Sequence, residues 1–146
     1  MVSIFKQFTD KTLEEAGVPV YVSEYDCTLK VARVGNKRHS TLNERVMKPY
    51  QKYFKSGDLA KIPEDKLEEI KQATVRVYAE TILLGWNGIF GDDDKPLPYS
   101  VDNAILVLAD DDFFGIVKEI AGEKETFRKR ELEDNLKNSK KASSGN

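Results

Sequence analysis

Three consecutive aspartates at positions 92–94 are the side chains of this sequence best suited to hold a metal, because calcium and magnesium bind carboxylate oxygens. An EF-hand calcium loop that began at Asp92 would need glycine at its sixth position and glutamate at its twelfth. The sequence has Leu97 and Asn103 at those positions. Glycine precedes the aspartates and two prolines follow them, a composition typical of a turn. We therefore predict an exposed turn, with neither a metal site nor a cofactor.

Side chains that commonly act as catalytic bases or nucleophiles are scarce. His39 is the only histidine, and its neighbours Lys37 and Arg38 favour an exposed polar position just before a helix. Cys27 is the only cysteine and lies in a strand-like run, which favours a structural role. The sequence contains neither the phosphate-binding loop of nucleotide hydrolases nor a dinucleotide-binding glycine motif. We predict no catalytic residue and no enzymatic activity, although a mechanism that uses only carboxylates stays open.

Charge is distributed unevenly along the chain. Residues 27–58 contain eight lysines and arginines against two acids, whereas residues 64–125 contain six against fifteen. Opposite charge blocks of this kind suit head-to-tail association, so we predict a homo-oligomer in which the basic face (30–55) meets the acidic face (64–112). No apolar run approaches the roughly 20 residues that a membrane span needs, and we predict no membrane partner.

The basic segment 30–55 also raises the alternative of a small nucleic-acid-binding protein. Tyr50, Tyr53 and Phe54 alternate with its lysines and arginines, a composition suited to base stacking and phosphate contacts. The aromatics nevertheless fall at the spacing of the core positions of an amphipathic helix. We therefore favour a helix whose aromatics face the core over a nucleic-acid interface.

Hydrophobic periodicity predicts an α+β fold that is mostly α. Residues 17–35 read as a short N-terminal β-hairpin, with Pro19 on an edge strand because proline lacks a ladder donor. Residues 40–136 read as about four helices. The first begins at a capping box at Thr41 and divides near Met47, since Pro49 lies inside the run. We predict that residues 1–136 form one domain and that residues 137–146 form a disordered tail.

The later helices have clear start signals. Pro63 opens a long helix over residues 64–84 that ends at Gly85, Ser100 opens the next, and the aspartates from Asp110 restart the helix. In the loop between the long helix and the helix that Ser100 opens, we predict that Trp86 and Leu97 are packed and that the loop has a structural role.

The stretch ETILLGWNGIFGDDDKPLPYSVDNAILVL resembles the signature of a group of tailed-bacteriophage tail assembly chaperones. The MVSIFKQF opening, the VARVGNKR turn and the FRKRELEDNLKNS ending are similar to that family in order and spacing, so the resemblance covers most of the chain. It differs at Asp102, where the family usually has glutamate, and at Gly91 in place of a polar residue.

The resemblance implies a non-enzymatic chaperone that binds the tape measure protein and keeps it soluble in the host cell cytoplasm, then leaves before the virion is mature. It also implies a longer, frameshifted form that recruits the tail tube protein. A structural tail or neck protein that stays in the virion is a further alternative.

Two apolar stripes, on the long helix and around residues 113–127, are wider than one small core obviously needs and predict a groove for the partner. Phe113 shares the core spacing, so we predict that Phe114 is the exposed contact. The predicted partner-binding residues are Leu67, Ile70, Val77, Phe113, Phe114, Val117 and Phe127.

Overall fold

A β-hairpin lies near the N-terminus of the computed structural model, which describes residues 3–128. Strand β1 (Val18–Val22) pairs antiparallel with β2 (Cys27–Val31). Pro19 of β1 lies opposite Lys30 of β2, and β1 is an edge strand of the sheet. The predicted hairpin and the edge position of its proline are both confirmed.

A third strand, β3 (Leu83–Asn87), extends the hairpin into a three-stranded antiparallel sheet of order β1-β2-β3. The prediction of a helix as far as residue 84 is therefore wrong, because the long helix ends at Thr81. The Ala32 N–H donates to the carbonyl of Ile82 (2.8 Å) at the point where the chain changes from helix to strand. Pairing with β2 also places Leu83 in the core, fully buried.

Six α-helices lie within the described residues, five of them after the hairpin, where about four were predicted. Together with the small sheet they confirm the predicted α+β, mostly α class. The helices are α1 (Lys11–Ala16), α2 (Lys37–Met47), α3 (Gln51–Lys55), α4 (Glu64–Thr81), α5 (Val101–Leu108) and α6 (Asp111–Gly122). No helix in the described part of the chain is long and apolar enough to cross a membrane.

Helix α2 begins four residues before the predicted capping box at Thr41. Its N-cap is Asn36, whose side-chain oxygen accepts from the backbone N–H of His39 (3.0 Å). Asparagine satisfies an otherwise unpaired N–H at the start of the helix, so the capping box is not needed. The division at Pro49 is confirmed, since a 3-10 turn (Lys48–Tyr50) separates α2 from α3.

The predicted starts of the later helices are confirmed. Helix α4 begins at Glu64, directly after Pro63. Ser100 caps α5 through its hydroxyl oxygen, which accepts from the N–H of Asn103 (3.0 Å). Asp110 caps α6 by accepting from the N–H of Phe113 (2.9 Å).

The core lies between the sheet and the helices α4, α5 and α6. The sheet contributes Leu29 and Val31, and α4 lies against α2, α5 and β3. Tyr78 of α4 packs edge-on against Phe114 of α6, with 4.8 Å between ring centroids. Burial of such side chains is the main source of the fold's stability.

An ion pair joins the buried Glu14 of α1 to the partly buried Arg33, two residues after β2. The Glu14 carboxylate accepts hydrogen bonds from the Thr9 hydroxyl and from the Arg33 guanidinium, and the Lys11 ammonium lies 3.3 Å away. Burial by itself raises the pKa of Glu14, but the hydrogen bonds from Thr9, Arg33 and Lys11 outweigh it and leave the pKa below its ordinary value. The carboxylate is thus held in its charged form.

The two ends of the described chain are paired with each other. The Asp10 N–H donates to the carbonyl of Phe127 (2.7 Å), and the Arg128 guanidinium donates to the side-chain oxygen of Gln7 (2.7 Å). Phe127 is fully buried, on a 3-10 turn (Lys124–Phe127) that follows α6. The predicted domain end at residue 136 and the predicted disordered tail lie outside the described residues.

Candidate partner-binding surface

The loop after β3 is held by its aromatic side chains. The indole N–H of Trp86, which is half-buried, donates to the carbonyl of Leu97 (2.8 Å). The Trp86 ring lies edge-on to Tyr99, with 5.0 Å between centroids, and the Tyr99 hydroxyl donates to the carbonyl of Leu83 (2.7 Å). The side chain of Leu97 is also half-buried. Trp86 is therefore part of β3, and the end of the loop at Leu97 and Tyr99 is tied back to that strand.

The three aspartates form the exposed turn of this loop. The Asp93 carboxylate accepts from the backbone N–H of Lys95 (3.1 Å), and the Asp94 N–H donates to the carbonyl of Gly91 (3.0 Å). Asp94 has a φ of 58°, a conformation that aspartate tolerates in turns. Among residues 3–128, no three His, Cys, Asp or Glu side chains come together as a metal site.

A cleft of about 440 Å³ opens beside this loop. Three of its apolar side chains are substantially exposed: Leu106 of α5 (70%), Phe90 of the loop (60%) and Tyr25 of the β1–β2 turn (42%). We call this site the apolar cleft. It is lined by Tyr25, Gly88, Ile89, Phe90, Leu106, Val107, Asp110 and Phe113.

Close packing fixes the walls of the apolar cleft. The Tyr25 ring lies edge-on to the buried Phe113, with 5.4 Å between centroids, which joins the hairpin turn to α6. Gly88 brings the loop against the same turn, since a Cβ atom there would lie 3.2 Å from the carbonyl oxygen of Asp26. Its φ of 89° also favours glycine. The exposed apolar side chains are thus carried on a rigid support.

Acidic side chains surround the apolar cleft. Asp110 lines it, and Glu24 and Asp112 lie close enough for their charges to act on Tyr25. Desolvation, followed by the negative charges of Asp110, Glu24 and Asp112, raises the pKa of the Tyr25 phenol. We call Glu24, Asp110 and Asp112 the acidic margin.

Most of the side chains predicted to bind the partner are part of the protein's own core. Leu67 is 43% exposed and Ile70 is half-buried. The remaining five are buried: Val77, Phe113, Phe114, Val117 and Phe127. The prediction that Phe114 is exposed is wrong, since it is 8% exposed. Phe113 and Phe114 are both covered because α6 packs against the hairpin turn on one side and against α4 on the other.

His39 is also buried, contrary to the predicted exposed position. Its Nδ1 accepts from the backbone N–H of Gly35 (3.0 Å), and its ring lies edge-on to Tyr78 at 5.6 Å between centroids. Burial lowers the pKa of His39, which favours the neutral ring. Cys27 lies in the core as predicted, and burial raises the pKa of its thiol. Both side chains are structural.

The aromatics of the basic segment are only partly covered. Tyr50 and Tyr53 are half-buried, but Phe54 is 44% exposed, so the prediction that they face the core is wrong for Phe54. The Lys52 ammonium lies 5.1 Å from the centroid of the Tyr53 ring.

The exposed members of the apolar cleft were missed at the level of sequence. Leu106 lies between Ile105 and Val107 on α5, and Phe90 lies in a loop. The only signal in the sequence is that large apolar side chains occur at positions that the predicted core does not use.

Comparison with known proteins places the chain among phage proteins. Residues 34–138, which include α2 to α6 and the loop of the apolar cleft, match the family described as YdaY prophage protein. No curated protein and no solved structure matches the chain. Because the matched residues make up well over half of the sequence, the chain belongs to the YdaY prophage protein family.

Proposed function

We propose that this protein is a non-enzymatic tail assembly chaperone that binds the tape measure protein while a phage tail is assembled in the host cell cytoplasm. Its membership of a prophage family and its resemblance to tail assembly chaperones support a role in phage morphogenesis. The partner leaves the chaperone when tube subunits polymerise around it, so the protein is absent from the mature virion.

The observation that carries the proposal is the apolar cleft. Leu106, Phe90 and Tyr25 are large apolar side chains that a monomer gains nothing by exposing together. A tape measure protein has long apolar helical stripes before it is sheathed, and such stripes aggregate unless they are covered. A rigid apolar cleft between a loop and two helices can cover one turn of a helical stripe. Covering it needs no catalytic side chain.

Co-expression with the tape measure protein of the same phage tests the proposal. We expect the chaperone to keep the tape measure protein in the soluble fraction, and we expect Leu106→Asp to reduce that fraction strongly. Leu59→Asp is the matched control, because Leu59 is 62% exposed but is not among the residues that line the cleft. Circular dichroism checks that both variants are folded. The proposal is contradicted if the tape measure protein is soluble by itself. It is also contradicted if the Leu106→Asp variant solubilises the tape measure protein as well as the unchanged protein does.

A further inference from the structure

The acidic margin gives the apolar cleft a chemical preference that its apolar side chains alone do not have. All three carboxylates are exposed: Glu24 lies in the β1–β2 turn, Asp110 caps α6 and Asp112 lies in the first turn of that helix. The cleft lies between the β1–β2 turn and the start of α6. None of the three makes a salt bridge within residues 3–128. Their neighbour Asp111 is different, because it pairs with Lys71 of α4 at 2.8 Å. Within residues 3–128, the margin therefore presents carboxylates that no lysine or arginine pairs with.

We infer that the apolar cleft binds an amphipathic helix that carries lysine or arginine on the flanks of its apolar stripe. The inference rests on the proposed chaperone function and specifies the segment of the partner that is held. Apolar contacts with Leu106, Phe90 and Tyr25 supply affinity, and the acidic margin selects basic flanks over acidic ones.

The acidic face of a second copy, on α4, fits the cleft less well than a basic partner does. Its most exposed apolar side chain on a long helix is Leu67 of α4. Four acids accompany Leu67 on the first two turns of that helix: Glu64, Asp65, Glu68 and Glu69. Docking that face beside the acidic margin would bring like charges together, which is unfavourable. Charge complementarity thus favours a helix with basic flanks over that acidic face.

Two synthetic peptides of about 18 residues test the charge preference, with the full-length protein as receptor. Both carry leucines at positions i, i+3, i+4 and i+7. One has lysines on the flanks and the other has glutamates. Fluorescence anisotropy measures their affinity at about 0.05 M and about 0.5 M salt. We expect the lysine peptide to bind roughly tenfold more tightly than the glutamate peptide at low salt, and this difference to shrink at high salt.

A variant of the receptor locates the preference. The triple variant Glu24→Gln, Asp110→Asn, Asp112→Asn removes the acidic margin, and asparagine at 110 can still cap α6. We expect it to weaken binding of the lysine peptide about tenfold and to leave the glutamate peptide unchanged or tighter.

A matched control removes three exposed carboxylates elsewhere, two of them also in the first turn of a helix. It combines Glu44→Gln, Glu64→Gln and Asp65→Asn. We expect this control to bind the lysine peptide within about twofold of the unchanged protein, since none of its three carboxylates lines the cleft.

Several results would overturn the inference: equal binding of both peptides, no binding of either, or the same loss in the margin and control variants. A dimer in sedimentation that Leu106→Asp dissociates would also overturn it, in favour of a second copy as occupant. Failure of the chaperone function has a different signature. If the margin variant still solubilises the tape measure protein completely, only the charge preference is contradicted. If peptide binding depends on the margin but the tape measure protein is not solubilised, only the chaperone role is contradicted.

Discussion

Replacing Phe114 with alanine tests how α6 is packed against the rest of the core. The ring is 8% exposed, lies edge-on to Tyr78, and has the Lys118 ammonium 4.8 Å from its centroid. Truncating a buried phenylalanine costs about 3–5 kcal/mol, of which an edge-on aromatic pair accounts for about 0.5–1.5 kcal/mol. For a domain of this size, the loss corresponds to a decrease in Tm of roughly 10–15 °C. The loss is a large part of the free energy of unfolding of a single domain, which is typically about 5–15 kcal/mol.

Leu106→Ala is the control for this experiment, because leucine and alanine are both good helix formers and Leu106 is 70% exposed. Only a minor part of the side chain is covered, so the expected cost is below about 1 kcal/mol. Urea unfolding followed by circular dichroism gives both free energies, and unchanged m-values show that the comparison is valid. If Phe114→Ala costs less than about 1 kcal/mol, or no more than Leu106→Ala, the packing described for α6 is wrong.

Three further predictions compare the contributions of buried and exposed side chains to the stability of the fold. Glu14→Gln should cost about 1–3 kcal/mol at neutral pH, since it removes the charge that pairs with Lys11 and Arg33, while the partly exposed Arg33 can still donate to the glutamine carbonyl oxygen. Because the folded pKa of Glu14 is lowered, the stability it contributes is present above its ordinary pKa of about 4.5 and is lost as pH falls through the folded value, so urea midpoints from pH 7 to pH 3 should fall less steeply in the variant. An NMR titration of His39 should give a pKa below 6.5, and urea unfolding should show its contribution to stability decreasing as pH falls below that value, since the unfolded chain then binds the proton more readily. Trp86→Phe should cost about 1 kcal/mol in urea for the lost hydrogen bond, whereas Asp93→Ala should change Tm little, and neither calcium nor magnesium should raise Tm.

Local signals in the sequence predicted the fold well where the structure depends on neighbouring residues. The caps at Ser100 and Asp110, the proline at Pro63 and the division at Pro49 all act within one or two helical turns. Strand β3 was missed because its residues continue the apolar spacing of α4, and only pairing with β2, more than fifty positions earlier, turns them into a strand. That pairing is a tertiary contact, which helical periodicity does not report.

The surface was harder to predict than the fold. Periodicity identified the apolar face of α6, but it did not show that two partners cover that face, so Phe114 was assigned to the surface. His39 was expected outside because its neighbours are charged, yet α2 begins at Lys37 and so includes His39, whose ring packs against Tyr78. The apolar cleft combines Tyr25, Phe90 and other side chains far apart in the sequence, and it exists only once the loop and hairpin have met.

The pairing between the two ends of the described chain has a consequence for biosynthesis. The Gln7–Arg128 contact joins residues 121 positions apart, and the carbonyl of Phe127 accepts the Asp10 N–H beside it. Bringing such distant segments together carries a loop-closure entropy that more local contacts, such as the hairpin, avoid. The N-terminal segment is translated first but cannot reach its final place until Phe127 has left the ribosome. During synthesis the exposed Phe5 and Phe8 therefore remain on a segment of nascent chain that has not yet docked. The N-terminal segment docks only when the last residues of the described fold have been made.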